Sequence, residues 1–380
     1  MSFRDRVSSP GPKKLLALDG GGVRGVITLE ILRRLESMLA EHLCVGDDFV
    51  LGDYFDYIGG TSTGAMIAAG LAKGLHAGQL LELYVSRGDE MFDHASLRRL
   101  YHYRYGSVRL QELLQSVLGE DTTLGSDELK TLLMIVARNA TTDSPWPLSN
   151  NPNALFNDPS RPDSNLAIPL WQLVRASTAA PTYFPPETVP LGGRNFVFVD
   201  GALTMYNNPA FQLFLMATLD EYRLGWPATE SDLLLVSVGT GTCPKADDRL
   251  RPDSMNLLFN VASVPAALMH AALTEQDMLC RVFGRCRHGA PIDAEVGDLM
   301  RGAGLLPQRL FSYVRYNAEL SRCGLDELGL GDVAPEEVQT LDSVEHIGEL
   351  RRVGQAAAGA VAVEHFAGFL GRPGGVAVPG

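Results

Sequence analysis

IGGTSTGA, residues 58–65, is the stretch on which the reading of this chain turns. Gly60-Thr61-Ser62-Thr63-Gly64 is G-x-S-x-G, set between a strand candidate, Tyr54 to Gly59, and the small-residue helix start AMIAAGLAKGL. At a sharp strand-to-helix turn a serine hydroxyl is raised above the sheet edge, and flanking glycines relieve the crowding. The competing reading is a serine that merely caps the helix from Thr63 onward.

Upstream, LALDGGGVRGV (16–26) places three consecutive glycines after a strand candidate, Leu15 to Leu18, and before a helix candidate, Val26 to Leu43. Something must approach that backbone closely, because glycine is used where a side chain would obstruct or where φ must be positive. Gly20, Gly22 and Gly25 satisfy G-x-G-x-x-G, the setting for a phosphate at a helix N-terminus. A dinucleotide site also wants an acidic residue at the end of the next strand. Here that strand runs into GGTSTGA, so the glycines alone do not decide.

The bulk properties are those of a globular protein: 380 residues, 46% hydrophobic and 20% charged. A net charge of −13 argues against a nucleic-acid polymer as partner and against simple electrostatic capture by an anionic membrane. No apolar leader stretch and no run long enough for a membrane span is seen, so a cytoplasmic protein is expected, at most peripheral at the inner face of the membrane. The five cysteines are odd in number and irregularly spaced, which fits a reduced compartment. Cys280, Cys286 and His288 lack a fourth ligand and make a poor zinc site; no metal or other cofactor is expected.

From Leu15 onward short apolar runs alternate with helical periods, which is α/β organisation. Helices are expected over Ala77 to Phe92, Leu110 to Leu118 and Asp127 to Leu133, with a strand at Met134 to Ala137. The Pro/Asn/Ser-rich stretch 139–165 reads as a long functional loop. Met255 to Val282 reads as helix kinked or broken at Pro265. Four parts are expected: a flexible arm (1–12), an acyl hydrolase domain (13–325), a helical segment packed on it (326–370) and a frayed tail (371–380).

A nucleophilic serine needs a base. In an α/β-hydrolase order only His270, His288, His346 and His365 could follow the serine and the acid, and each lies in or beside a helical stretch. Asp200 is placed differently. It ends the apolar run FVFV and precedes Gly201 and Ala202, so its carboxylate points into the crevice at the strand ends. There a raised pKa would let it take a serine proton.

Taken in order, Gly20-Gly21-Gly22 with Arg24, the elbow at Ser62 and Asp200-Gly201-Ala202 resemble the patatin-like phospholipase family, whose signatures are G-G-G-x-[RK]-G, G-x-S-x-G and D-G-[AG]. RASTAAPTYFPP, before the aspartate, also looks like the family's. The resemblance covers roughly residues 13 to 325. It implies a three-layer α/β/α fold with a mostly parallel central sheet, a Ser62–Asp200 dyad without histidine, and calcium-independent cleavage of acyl esters. It also makes the amides of Gly20, Gly21 and Gly22 an oxyanion hole, with Gly60, Gly64 and Gly201 supporting the turns. Arg24 then holds the loop or meets a lipid phosphate, and Asp19 orders the loop.

The expected partner is a lipid at a membrane or micelle surface. Two stretches suit lipid contact: LRRLYHYRYG (97–106), which interleaves Arg98, Arg99 and Arg104 with tyrosines, and the apolar run Leu257 to Leu273. A second reading is a regulated enzyme, because the chain also resembles patatin-like effectors of bacterial anti-phage defence that attack the cell's own membrane once a cyclic nucleotide activator binds. From other classes, a dinucleotide-binding protein and a non-catalytic lipid-binding module remain as competitors.

Overall fold

Strands form where the apolar runs are short and helices where the apolar spacing is three and four, in the alternation the sequence predicts. The computed structural model describes residues 3–92, 103–181, 183–242, 257–302 and 305–371. In chain order the strands are β1 (Lys13–Leu18), β2 (Tyr57–Thr61), β3 (Leu132–Asn139), β4 (Ser144–Ser149), β5 (Glu187–Leu191), β6 (Arg194–Asp200), β7 (Leu233–Val238), β8 (Arg285–His288) and β9 (Ser312–Tyr316). The helices are α1 (Phe3–Ser8), α2 (Gly25–His42), α3 (Leu51–Tyr54), α4 (Thr63–Lys73), α5 (Ala77–Phe92), α6 (Tyr103–Leu118), α7 (Leu170–Ser177), α8 (Ala210–Thr218), α9 (Leu257–Phe283), α10 (Arg322–Glu327), α11 (Pro335–Gln339) and α12 (Ile347–Ala358).

All nine described strands share one sheet in the order β5-β6-β3-β2-β1-β7-β9-β8, with β4 on β3. The run from β3 through β2, β1, β7 and β9 to β8 is parallel, and β4, β5 and β6 join antiparallel. Every residue of β1, β2, β7 and β9 is buried, as strands covered by helices on both faces must be. The fold is thus the mixed α/β fold with a mostly parallel sheet that the sequence predicts.

One feature of the registers builds the site. β2 pairs with β3 up to Thr61↔Val136, and β6 pairs with β3 from Ala137↔Asp200. β4 pairs along Met134 to Asn139, overlapping both, so it occupies the other edge of β3. β2 and β6 therefore share one edge and meet end to end. The chain leaves β2 at Ser62 where β6 delivers Asp200.

Several expectations are corrected. The N-terminal arm is not loose over Phe3–Ser8: Phe3 and Arg6 are buried, and Arg6 donates to the carbonyls of Gly52, Phe55 and Lys130, which no strand satisfies. Asp127 to Leu133 is not a helix, because Lys130 turns back to the Ala72 carbonyl and Leu132 enters β3. The 139–165 stretch is not one irregular loop. The Asn139 side chain accepts from the Thr141 and Thr142 amides, turns the chain, and sends β4 back along β3. Pro145 and Pro147 fit there because, among the described strands, β4 pairs only with β3. The helix α9 runs on past position 265 without a break.

The C-terminal segment lies on α2. Gly354 of α12 lets the two helices touch, since a Cβ there would sit 3.0 Å from the Ile27 Cα, and Glu30, buried in α2, accepts from Arg351 and Gln355.

Candidate active site

Ser62 stands at the turn from β2 into α4 with φ 55° and ψ −123°, a conformation that L-residues hold only when their surroundings enforce it. The glycines on either side explain how the turn fits. A Cβ on Gly60 would lie 2.1 Å from the Gly64 carbonyl oxygen, and one on Gly64 would lie 2.3 Å from that of Leu18. Both positions must be bare for α4 to start this close to the end of β1.

The Ser62 hydroxyl donates to Asp200 Oδ2 at 2.8 Å. The other carboxylate oxygen, Oδ1, accepts from the Ala202 amide at 2.7 Å. Asp200 is buried, and burial pushes its carboxyl up to about 6; the Ala202 N–H, the Ser62 hydroxyl and the Arg175 charge each pull it partly back. Gly201 must be glycine for a packing reason: a Cβ there would sit 2.2 Å from the Val136 carbonyl oxygen, at the junction of β2 and β6. Among the described residues no histidine lines the cavity above Ser62; His94 and His102 lie outside them.

The glycine-rich loop packs beside the serine, but its three members differ. The Gly20 N–H donates to the Asn207 carbonyl (3.0 Å), so this amide is engaged and the expected oxyanion contribution from Gly20 is corrected. Gly20 serves instead by lacking a side chain, since a Cβ would lie 2.3 Å from Asn207 Oδ1 and 3.2 Å from the Ser62 Cβ. Gly21 and Gly22 face the cavity with Ser62. Gly22 has φ 59°, and the Leu341 carbonyl lies where its Cβ would be.

The loop is fastened from strands far along the chain. Asp19 takes two hydrogen bonds from Arg315 of β9, at 3.0 and 2.6 Å, and Arg315 also donates to Ser237 of β7. Burial is the largest influence on the Arg315 guanidinium and lowers its pKa, but Asp19, Tyr313 and Asp277 together raise it above its ordinary value; burial also pushes the Asp19 carboxyl up, against the pull of Arg315. The Thr240 hydroxyl donates to the Gly20 carbonyl (2.9 Å), and the Val23 amide donates to the Leu341 carbonyl (2.9 Å). Arg24 is buried beside the loop, and Asp19 is among the carboxylates that feel its charge; this fits the loop-holding reading.

Above the serine and the glycines lies a cavity of about 590 Å³. Met66, Met91, Phe92, Leu110, Phe184, Met269 and Leu341 line it, and Asp200 is its one charged lining residue among those described. Such a lining suits an apolar chain, and among the described residues it offers a charged headgroup no cation. The apolar run expected to line an acyl site contributes through Ala266 and Met269 of α9. The other expected lipid-contact stretch, Leu97 to Gly106, lies outside the described residues as far as His102, and from Tyr103 only its helical backbone is placed.

A strained serine whose hydroxyl donates to a buried aspartate is an arrangement in which a carboxylate stands within reach of the serine proton. Residues 16–214, more than half of the chain, match the patatin-like phospholipase family, and the chain belongs to that family. Among similar proteins are "cGAMP-activated phospholipase" of Escherichia coli (strain TW11681), 32% identical over 60% of this chain, and that of Vibrio cholerae serotype O1, also 32% identical over 60%. Patatin-17 of Solanum cardiophyllum is 30% identical over 61%. The matches span 62%, 64% and 61% of these relatives' own lengths.

Sequence reasoning missed the groups that hold the loop. Arg315 carried a signal, an arginine inside the otherwise buried strand SYVRY. Thr240 and Leu341 carried none.

Proposed function

We propose that this chain is a serine acyl hydrolase that releases fatty acids from phospholipids or lysophospholipids. The observation that carries the reading is the 2.8 Å contact from Ser62 to the buried Asp200 at the floor of an apolar cavity. Asp200 accepts the hydroxyl proton as Ser62 Oγ attacks the acyl carbonyl. The oxyanion is met by the amides of Gly21, Gly22 and Thr63, the last being the first residue of α4 and the residue after the nucleophile. The protonated Asp200 returns the proton to the leaving alcohol, the lyso-lipid or glycerol portion. Water, deprotonated by Asp200, then cleaves the acyl-enzyme to fatty acid and free Ser62.

The hydrolase domain is taken as residues 13–325, with 326–370 packed on it, and the enzyme is placed in the cytoplasm, working at the inner membrane face. Among the described residues no helix is long and apolar enough to cross a membrane, which supports contact from one side.

The names of the two bacterial relatives favour a second, regulated version, in which hydrolysis awaits a cyclic nucleotide. Both versions are tested by fluorophosphonate labelling and by release of fatty acid from mixed liposomes, with and without a panel of cyclic dinucleotides. One adduct on Ser62, and fatty-acid release that disappears in Ser62→Ala, is the expected result. Release only after a nucleotide is added selects the regulated version. Hydrolysis that persists in a folded Ser62→Ala defeats both.

A further inference from the structure

At the point where β2 and β6 meet on the edge of β3, the ladder has a gap. β2 ends at Thr61, opposite Val136, and β6 ends at Asp200, opposite Ala137. The Val136 carbonyl and the Ser62 amide face this gap, where a regular strand would have continued the pairing. Ser177, the last residue of α7, fills it with one hydroxyl. Its Oγ accepts from the Ser62 N–H at 2.9 Å and donates to the Val136 carbonyl at 2.6 Å. Ser177 is completely buried.

The same segment holds the other half of the dyad. Two residues past Ser177, the Ala179 carbonyl accepts from the Asp200 N–H at 3.0 Å. The backbone of the nucleophile and the backbone of its base are thus both tied to the end of α7. The tie to Ser62 matters more, because φ 55° at Ser62 is a conformation that the chain would leave if released.

We propose that Ser177 is a positioning residue for the nucleophile: by completing the interrupted ladder it keeps Ser62 in its strained turn with Oγ on Asp200. It touches neither substrate nor the reacting oxygen. Without it the Ser62 N–H and the Val136 carbonyl lose their shared partner, and the turn is free to relax and carry Oγ off its productive position. A misplacement of about 1 Å costs about 10²-fold in rate.

This inference rests on the hydrolase reading, and the test separates the two. The full chain and its Ser177→Ala, Ser177→Cys and Ser177→Thr variants are compared by thermal melting, by the rate of fluorophosphonate labelling at Ser62, and by kcat and KM on a soluble p-nitrophenyl ester. Ser177→Cys keeps the volume and stays informative if the alanine variant does not fold. The expected result is labelling and kcat both lowered about 10²-fold in alanine and cysteine with KM unchanged, and recovery in threonine, which keeps the hydroxyl. Wild-type labelling in a folded alanine or cysteine variant overturns the proposal, as does a loss confined to KM. All variants are labelled with and without the panel of cyclic dinucleotides, and a wild-type chain that takes no label at Ser62 under either condition overturns the hydrolase reading and this inference with it.

Discussion

An aspartate in water is a poor base near neutrality, because its carboxyl holds a proton only below an ordinary value of 3.8. In Asp200 burial moves that value up to about 6, closer to the pH at which a serine proton must be taken. Activity should therefore rise with pH through about 6 and level off above it, as Asp200 becomes the carboxylate. The same shift acts on stability with the opposite sign. The folded state binds the proton more tightly than the unfolded one, so the contribution of Asp200 is favourable below 3.8 and is lost as pH rises to about 6. Asp200→Asn should then be inactive yet roughly 1–3 kcal/mol more stable than wild type at pH 7.5, and equal to it near pH 3.5. Melting curves at the two pH values check this, and a variant less stable at pH 7.5 would show that the carboxylate's hydrogen bonds outweigh its burial.

At the scale of elements, the end of β1 is held by β9 rather than by its sequence neighbours. The Asp19–Arg315 pair is almost wholly buried, with side chains 2% and 5% exposed. Removing one partner of such a pair leaves an uncompensated charge and costs about 3–5 kcal/mol. Arg315→Ala should lose that much in urea unfolding, and Asp19→Ala combined with it should lose less than the sum of the two single changes. Labelling of Ser62 should fall in Arg315→Ala as well, because Gly20 to Gly22 follow Asp19 directly. Additive losses in the double variant would mean that the two side chains are held independently.

For the molecule as a whole, the C-terminal segment completes what the family-matched part begins. The match ends at residue 214, yet Thr240, Arg315 and Leu341, which secure the glycine loop, all lie beyond it. Val338, Leu350, Val353 and Phe366 are fully buried there. At ~1.5–3 kcal/mol for each, their burial is worth about as much as the whole net stability of a domain, ~5–15 kcal/mol. A chain ending at Ala334 should accordingly be insoluble or unfold cooperatively at a much lower temperature, and Ser62 should take no label. A truncated chain that melts like wild type and labels normally would remove the C-terminal segment from the active site's support.

Short motifs sufficed to mark Ser62, Asp200 and the bare glycines, because the demands they answer are local. A serine at positive φ, or a carbonyl that leaves no room for a Cβ, selects residue types within a few positions of itself. The element types followed from hydrophobic period for the same reason, except where pairing with a distant strand overrode it, as at Leu132 and along β4. What no local pattern carried is which groups meet across the sheet. Ser177 reaches Ser62 across 115 residues, Thr240 reaches Gly20 across 220 and Arg315 reaches Asp19 across 296. Gly20 shows the limit from the other side: its residue type was readable, but its amide is engaged by the carbonyl of Asn207, which lies past the end of β6 and far along the chain. Steric demands on a residue are written in its neighbours along the chain; hydrogen-bond partners are set by the order and register of strands, and these exist only once the chain has folded.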